Sequence, residues 1–160
     1  MSGHNKRDFI SFDGLSGAEI MAMLDLAAQQ KADPQTYQAS HAMKGLVAGI
    51  FFEKSSLRTR LSFETAVYQL GGQCVYMGPE CGRIGEREAI KDFAKAASRY
   101  LDVFILRTYK HETVTEIARY ANKPVINGLS DAHHPCQALG DLLTIREKLG
   151  GLKNVKVAFV

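Results

Sequence analysis

Three short polar stretches carry the residue types that could hold a small anion and polarise it. In Phe52-Glu53-Lys54-Ser55-Ser56-Leu57-Arg58-Thr59-Arg60, the hydroxyls of Ser56 and Thr59 and the planar fork of Arg58 stand where a helix should begin. Helix starts present free backbone N–H groups and the positive end of the dipole, so they suit phosphate or carboxylate. An arginine fork clamps two oxygens at once. In Leu106-Arg107-Thr108, an arginine follows an apolar run directly. In His133-His134-Pro135-Cys136-Gln137, a neutral imidazole could donate to a developing oxyanion. Gln137 offers a primary amide with both donor and acceptor atoms. Each stretch alone also admits a plain structural role: a serine cap, a salt bridge, a packing histidine. Together they describe a site that binds a small phosphorylated molecule and stabilises charge on it. No acid base, metal-ligand set or activated nucleophile accompanies them, and no cofactor is expected.

The surrounding pattern alternates between short apolar runs and helical periods. Ser16-Gly17-Ala18-Glu19 reads as a capping box opening a helix with Ile20, Leu24 and Ala27 or Ala28 inward. Leu46 to Phe52 reads as a buried strand. A helix follows with Leu61, Ala66 (or Thr65) and Leu70 as inward candidates, ended by Gly71-Gly72. Cys74 to Met77 is a strand, Glu88 to Tyr100 a helix, Asp102 to Leu106 a strand, and His111 to Ala121 a helix. Pro124 to Asn127 is a strand, and Pro135 opens a helix running to Leu149 before Gly150-Gly151. Strands separated by helices predict βαβ units. The fold class expected is α/β, a three-layer domain with a central parallel sheet flanked by helices. In such sheets ligands sit beyond the carboxyl ends of the strands, where all three polar stretches fall.

Composition narrows the function. The 160 residues suit one domain, with 46% hydrophobic and 23% charged residues. A net charge of +3 is too small for a nucleic-acid surface, so no nucleic acid is expected as partner. Cys74, Cys81 and Cys136 form neither a CxxC nor a disulfide framework. No apolar stretch reaches the roughly 20 residues a membrane helix needs, so no membrane is expected either. No GxGxxG follows the first strand, which disfavours a dinucleotide site. These features predict a soluble, cytoplasmic protein. The apolar run Val155 to Val160 reads as a strand lacking its following helix. The expected division is 1–150 as one domain and 151–160 as the start of a second, absent one, with an edge strand closing the same sheet as the alternative.

The stretch Phe52 to Thr59 is similar to the phosphate-binding signature of the aspartate/ornithine carbamoyltransferase family. His134-Pro135-Cys136-Gln137 resembles that family's second motif, and Cys136 in its third place resembles the ornithine branch. The flanking Ala138 to Leu143 and Val125 to Asp131 point the same way. The resemblance implies that Ser56, Leu57, Arg58 and Thr59 hold the phosphate of carbamoyl phosphate, Leu57 through its backbone alone. It implies that Arg107 reaches both phosphate and carbonyl, and that His134, with Arg58 and Thr59, polarises the carbonyl oxygen. Pro135, Cys136 and Gln137 would line the carbamoyl end, with Gln137 on its NH2. Arg83, in the loop Cys81 to Glu86, would reach a neighbouring subunit's site. Catalysis would rest on Arg58, Thr59, Arg107 and His134. Further implications are a homotrimer, ornithine bound through the absent second domain, and no turnover by this chain alone. A related enzyme using aspartate, an acylated ornithine or putrescine, and a non-catalytic anion-binding module, remain the alternatives.

Overall fold

Side chains on a strand point alternately to opposite faces, and in this chain both faces are apolar. The computed structural model describes residues 6–158. Its elements run α1 (Gly17–Ala32), α2 (Pro34–Ala39), β1 (Val47–Phe52), α3 (Leu57–Gln69), β2 (Gln73–Met77), α4 (Ile90–Ala97), β3 (Val103–Arg107), α5 (His111–Tyr120), β4 (Val125–Leu129) and α6 (Pro135–Leu149). A short 3₁₀ turn, Pro79–Cys81, follows β2. The four strands form one parallel sheet in the order β2-β1-β3-β4. Phe51, Phe104, Leu106 and Val125 face α4 and α5, packing with Ala94, Val114 and Ile117. Ala48, Ile50, Phe52 and Ile105 face the other way, packing with Val67 and Phe63 of α3. The α/β sandwich anticipated from the alternation is therefore present, with helices on both faces.

Local chemistry places the ends. The capping box at Ser16 is formed in both directions with Glu19. Asp33 and Pro34 open α2 by the same logic, a start signal that the apolar pattern did not single out. Asp102 accepts from the backbone N–H of Val47 at 3.0 Å and from Lys123 at 2.8 Å, tying the start of β3 to β1. Phe9 adds a parallel bridge to Ile126 at the free edge of β4. Its N–H donates to Val125 O at 2.8 Å, and its carbonyl accepts from Asn127 at 2.9 Å.

Three expectations need correction. The inward stripe of α3 is Phe63 and Val67, whereas Leu61 is 54% exposed and Thr65 and Ala66 are exposed too. Two apolar stripes were available at helical spacing, and contact with the sheet selected the one carrying the larger ring. The helix anticipated over Glu88 to Tyr100 is regular only at Ile90–Ala97. The strand anticipated from Val155 is not formed over residues 155–158, and residues 159 and 160 lie outside those described. No backbone in the four-stranded sheet runs beside 155–158, and a strand without a partner has no ladder to define it. No helix of the described residues is long and apolar enough to cross a membrane.

Gly49 lies in β1 where a Cβ would come within 2.3 Å of Leu101 Cδ1 and 2.8 Å of Phe51 Cε2. Gly49→Ala is expected to destabilise the chain by about 1–3 kcal/mol through overpacking. A second substitution, Leu101→Ala, should recover part of that loss. Urea unfolding of the two variants checks this, and equal midpoints for wild type and Gly49→Ala would refute it.

Candidate active site

The connections around the sheet reverse direction between β1 and β3. The path β1–α3–β2 runs to one side and β3–α5–β4 to the other, leaving a crevice between the carboxyl ends of β1 and β3. Register then aligns the loops: Phe52 pairs with Arg107, and Arg107 with Leu129. The three polar stretches thus leave the sheet at one level.

At the first, Ser56 is the N-cap of α3, yet its side chain caps no amide; its hydroxyl donates to Thr59 Oγ1 at 2.9 Å instead. Among the described residues, the amides of Leu57, Arg58 and Thr59 therefore have no acceptor. Leu57 is 74% exposed and can contribute only its N–H. Arg58 is exposed and joins no ion pair among the described residues. Arg60 is differently engaged, bonded to Glu64 at 3.0 Å with its guanidinium 3.7 Å from the centre of the Tyr76 ring. It supports α3 and leaves anion binding to its neighbour.

At the second, Arg107 is half-buried, and its Nε is buried without a hydrogen-bond partner among the described residues. Burial disfavours its charge and pulls its pKa down, but a guanidinium stays protonated at any working pH. The neighbouring carboxylate does not neutralise it. Glu53, 8% exposed, accepts instead from the backbone N–H groups of Ile84 at 3.3 Å and Tyr109 at 2.8 Å. Glu53 thereby fastens the loop carrying Arg83 to the ends of β1 and β3. Its place inside the first polar stretch was visible in the sequence, but not this task.

At the third, His134 caps α6, its Nδ1 accepting from Gln137 N at 3.4 Å. That leaves the proton of the neutral ring on Nε2, free to donate. Burial, then the positive charge of Arg107, hold its pKa below the usual histidine value, partly offset by Asp141. Gln137 Nε2 donates to Asp141 Oδ1 at 2.9 Å, which leaves the amide oxygen available for an N–H donor. Pro135 is buried at the first turn of α6. Cys136 contacts Asn127 O through its sulfur at 3.6 Å, and burial pushes its thiol up to about 11. It is a neutral packing group at pH 7 and no nucleophile.

Arg83 is placed apart from this set. Its guanidinium lies 4.7 Å from the centre of the Tyr109 ring, which Lys54 also approaches at 4.9 Å. The loop around it roofs a cleft of about 190 Å³ lined by Phe51, Phe52, Met77, Ile84 and Phe93, beside the rim. Among the described residues no cluster of histidine, cysteine or carboxylate side chains could hold a metal ion. The rim can therefore bind an oxyanion with amides and arginines and polarise an attached carbonyl with an imidazole.

The depressed pKa values carry a sign. His111 is lowered mainly by burial and then by His133, and His134 by burial and then by Arg107, both from an ordinary 6.5. As pH falls through that value, the unfolded chain takes up these protons first, so folding stability drops. Stability should be fully present above about pH 7 and decline between pH 6.5 and the lower folded values. Urea midpoints at pH 7.5 and 5.5 test the slope. Arg107→Met should move the NMR titration midpoint of His134 upward; an unchanged midpoint would refute the coupling.

Comparison with known proteins bears on the same residues. Residues 7–147 match the family model described as "Aspartate/ornithine carbamoyltransferase, carbamoyl-P binding domain". The chain is 47% identical to the ornithine carbamoyltransferase of Acidothermus cellulolyticus, over 96% of this chain and 49% of that protein. It is 43% identical to that of Methanocorpusculum labreanum, over 97% and 51%. The crystal structure of ornithine carbamoyltransferase from Thermus thermophilus superposes with a TM-score of 0.86 at 44% identity, covering 92% of this chain and 50% of that one. The Pyrococcus furiosus enzyme gives 0.86 at 40% identity, covering 90% and 46%. The chain spans about half the length of the curated relatives it matches. It belongs to the aspartate/ornithine carbamoyltransferase family, as that family's carbamoyl-phosphate-binding domain.

Proposed function

We propose that this chain is the donor half of an ornithine carbamoyltransferase, which transfers the carbamoyl group of carbamoyl phosphate to ornithine and releases citrulline and phosphate. The observation that carries this reading is the buried, unbonded Nε of Arg107, level with the free amides of α3 and close enough to His134 to depress its pKa. A dianionic phosphate carrying a carbonyl meets all three demands. In this reading Ser56, Leu57, Arg58 and Thr59 hold the phosphate, and Arg107 spans phosphate and carbonyl. His134 donates from Nε2 to the carbonyl oxygen, and the oxygen of Gln137 accepts from the carbamoyl NH2. Pro135 and Cys136 shape the wall behind it.

The neutral side-chain amine of ornithine attacks the carbonyl carbon. Charge grows on the carbonyl oxygen, then passes to the phosphate as the carbon–oxygen bond breaks. The attacking nitrogen gives up a proton, which the leaving phosphate can accept. Donors fixed where charge develops supply the acceleration, and holding both substrates in one orientation adds to it. Relatives twice as long named for ornithine support the acceptor assigned here, bound through the other half. The proposal extends to a cytoplasmic homotrimer serving arginine biosynthesis, with Arg83 leaving Tyr109 to act at a neighbouring subunit's site.

Titrating labelled chain with phosphonoacetamide, a stable analogue of carbamoyl phosphate, should shift the amides of 56–59, 107 and 134–137 saturably. Arg58→Ala should abolish the response, and a folded sample silent at millimolar analogue would refute the donor site. The chain alone should make no citrulline. In an enzyme that contains this half with its partner half, His134→Asn should lower kcat by about 10²–10³, the usual loss for one oxyanion donor.

A further inference from the structure

The polar residue inside β4, Asn127, is wholly buried at a bulge. Pairing steps from Leu106 with Asn127 to Arg107 with Leu129, so Gly128 is the extra residue. Bulges re-aim side chains, and a Cβ at Gly128 would come within 3.2 Å of both Leu106 O and Phe63 Cε2. The carboxamide of Asn127 is thereby turned into the loop that leads to His134. Its Nδ2 donates to Ile10 O at 3.0 Å and His133 O at 3.1 Å, with Ser130 Oγ at 3.3 Å. Its Oδ1 accepts from Leu129 N at 3.0 Å.

The loop is also closed on itself. Ser130 N donates to His133 O at 2.9 Å, and Ser130 Oγ accepts from His133 N at 3.2 Å. The same hydroxyl meets His111 Nδ1 at 2.9 Å, and the His111 and His133 rings stand edge to face at 4.7 Å. His134 follows immediately, and Pro135, buried at the first turn of α6, disfavours the helical region for its backbone, which stands at φ −135°, ψ 71°. Between the fixed carbonyl of His133 and the fixed start of α6, little freedom remains for the backbone that carries the imidazole.

We infer that Asn127 is a positioning residue for His134: it meets no substrate, but through the carbonyl of His133 and the hydroxyl of Ser130 it sets where the imidazole stands relative to Arg107. Nothing else in β4 could do this, since its other side chains are apolar or absent. The inference rests on the carbamoyl-phosphate reading only for the ligand used in its test. Charged groups facing His134 are Arg107, from β3, and Asp141, from α6.

The test follows His134 by its imidazole titration in the whole chain, beside the affinity for phosphonoacetamide. In Asn127→Ala the His134 midpoint should rise toward 6.5, its ordinary value, and affinity should fall about tenfold, the loss of one well-placed hydrogen bond. Asn127→Asp, which keeps the acceptor for Leu129 but not the donors, should shift His134 as well. If the Asn127 variants fail to fold, Ser130→Ala carries the test, with a smaller shift in the same direction. An unchanged His134 midpoint in folded variants would overturn the inference, even if affinity fell. Absence of analogue binding by the wild type would count against the carbamoyl-phosphate reading alone, because the titration still reports the positioning.

Discussion

The half-buried guanidinium of Arg107 makes the strongest demand in the molecule. It cannot shed its proton, its Nε is buried with no hydrogen-bond partner among the described residues, and the carboxylate of Glu53, at the end of the paired strand, is spent elsewhere. Glu53 turns its carboxylate onto two backbone amides, so the positive potential at the rim stays unanswered. Burial, and then that potential, hold the His134 pKa below its ordinary value and so favour the neutral ring. A neutral ring can donate one hydrogen bond without adding charge, which suits a site already rich in cations.

Such a cation survives because the sheet beneath it is apolar on both faces apart from a few bonded polar positions such as Asn127. The alternation of Ala48, Ile50 and Phe52 with Phe51 builds two cores from one strand. Hydrophobic burial of that kind is the main favourable term in folding and tolerates a few costly polar groups at the strand ends. The reversal of strand order between β1 and β3 then opens the crevice where those groups meet. In α3, the same economy of position leaves three amides free because Ser56 bonds to Thr59 rather than to the helix. The site is thus made largely of groups left without partners among the described residues.

The third loop shows the complementary strategy. There, the side chains of Asn127 and Ser130 and the backbone of His133 are bonded to one another, and His134 Nδ1 is taken by Gln137 N, which leaves its Nε2 to donate. Gln137 is treated likewise, its NH2 taken by Asp141 and its oxygen released. Saturating one end of a side chain fixes the orientation and chemical sense of the other.

The sequence by itself determined the strand–helix alternation, the capping box at Ser16, the span of α6 from Pro135 to Leu149, and the three polar stretches at strand ends. These are local signals, written in period, caps and turn residues, and need no distant partner to be legible. Tertiary structure alone decided which of two apolar stripes α3 buries, since the stripe with Leu61 and the one with Phe63 are equally helical until a sheet lies against one. It also decided that residues 155–158 are not a strand, because strand character belongs to a pair of backbones and no described strand pairs with them. The employment of Glu53 on loop amides, the desolvation of Arg107 and the burial of Asn127 at a bulge likewise join residues dozens of positions apart. No local pattern encodes those contacts; they exist only once the chain has closed.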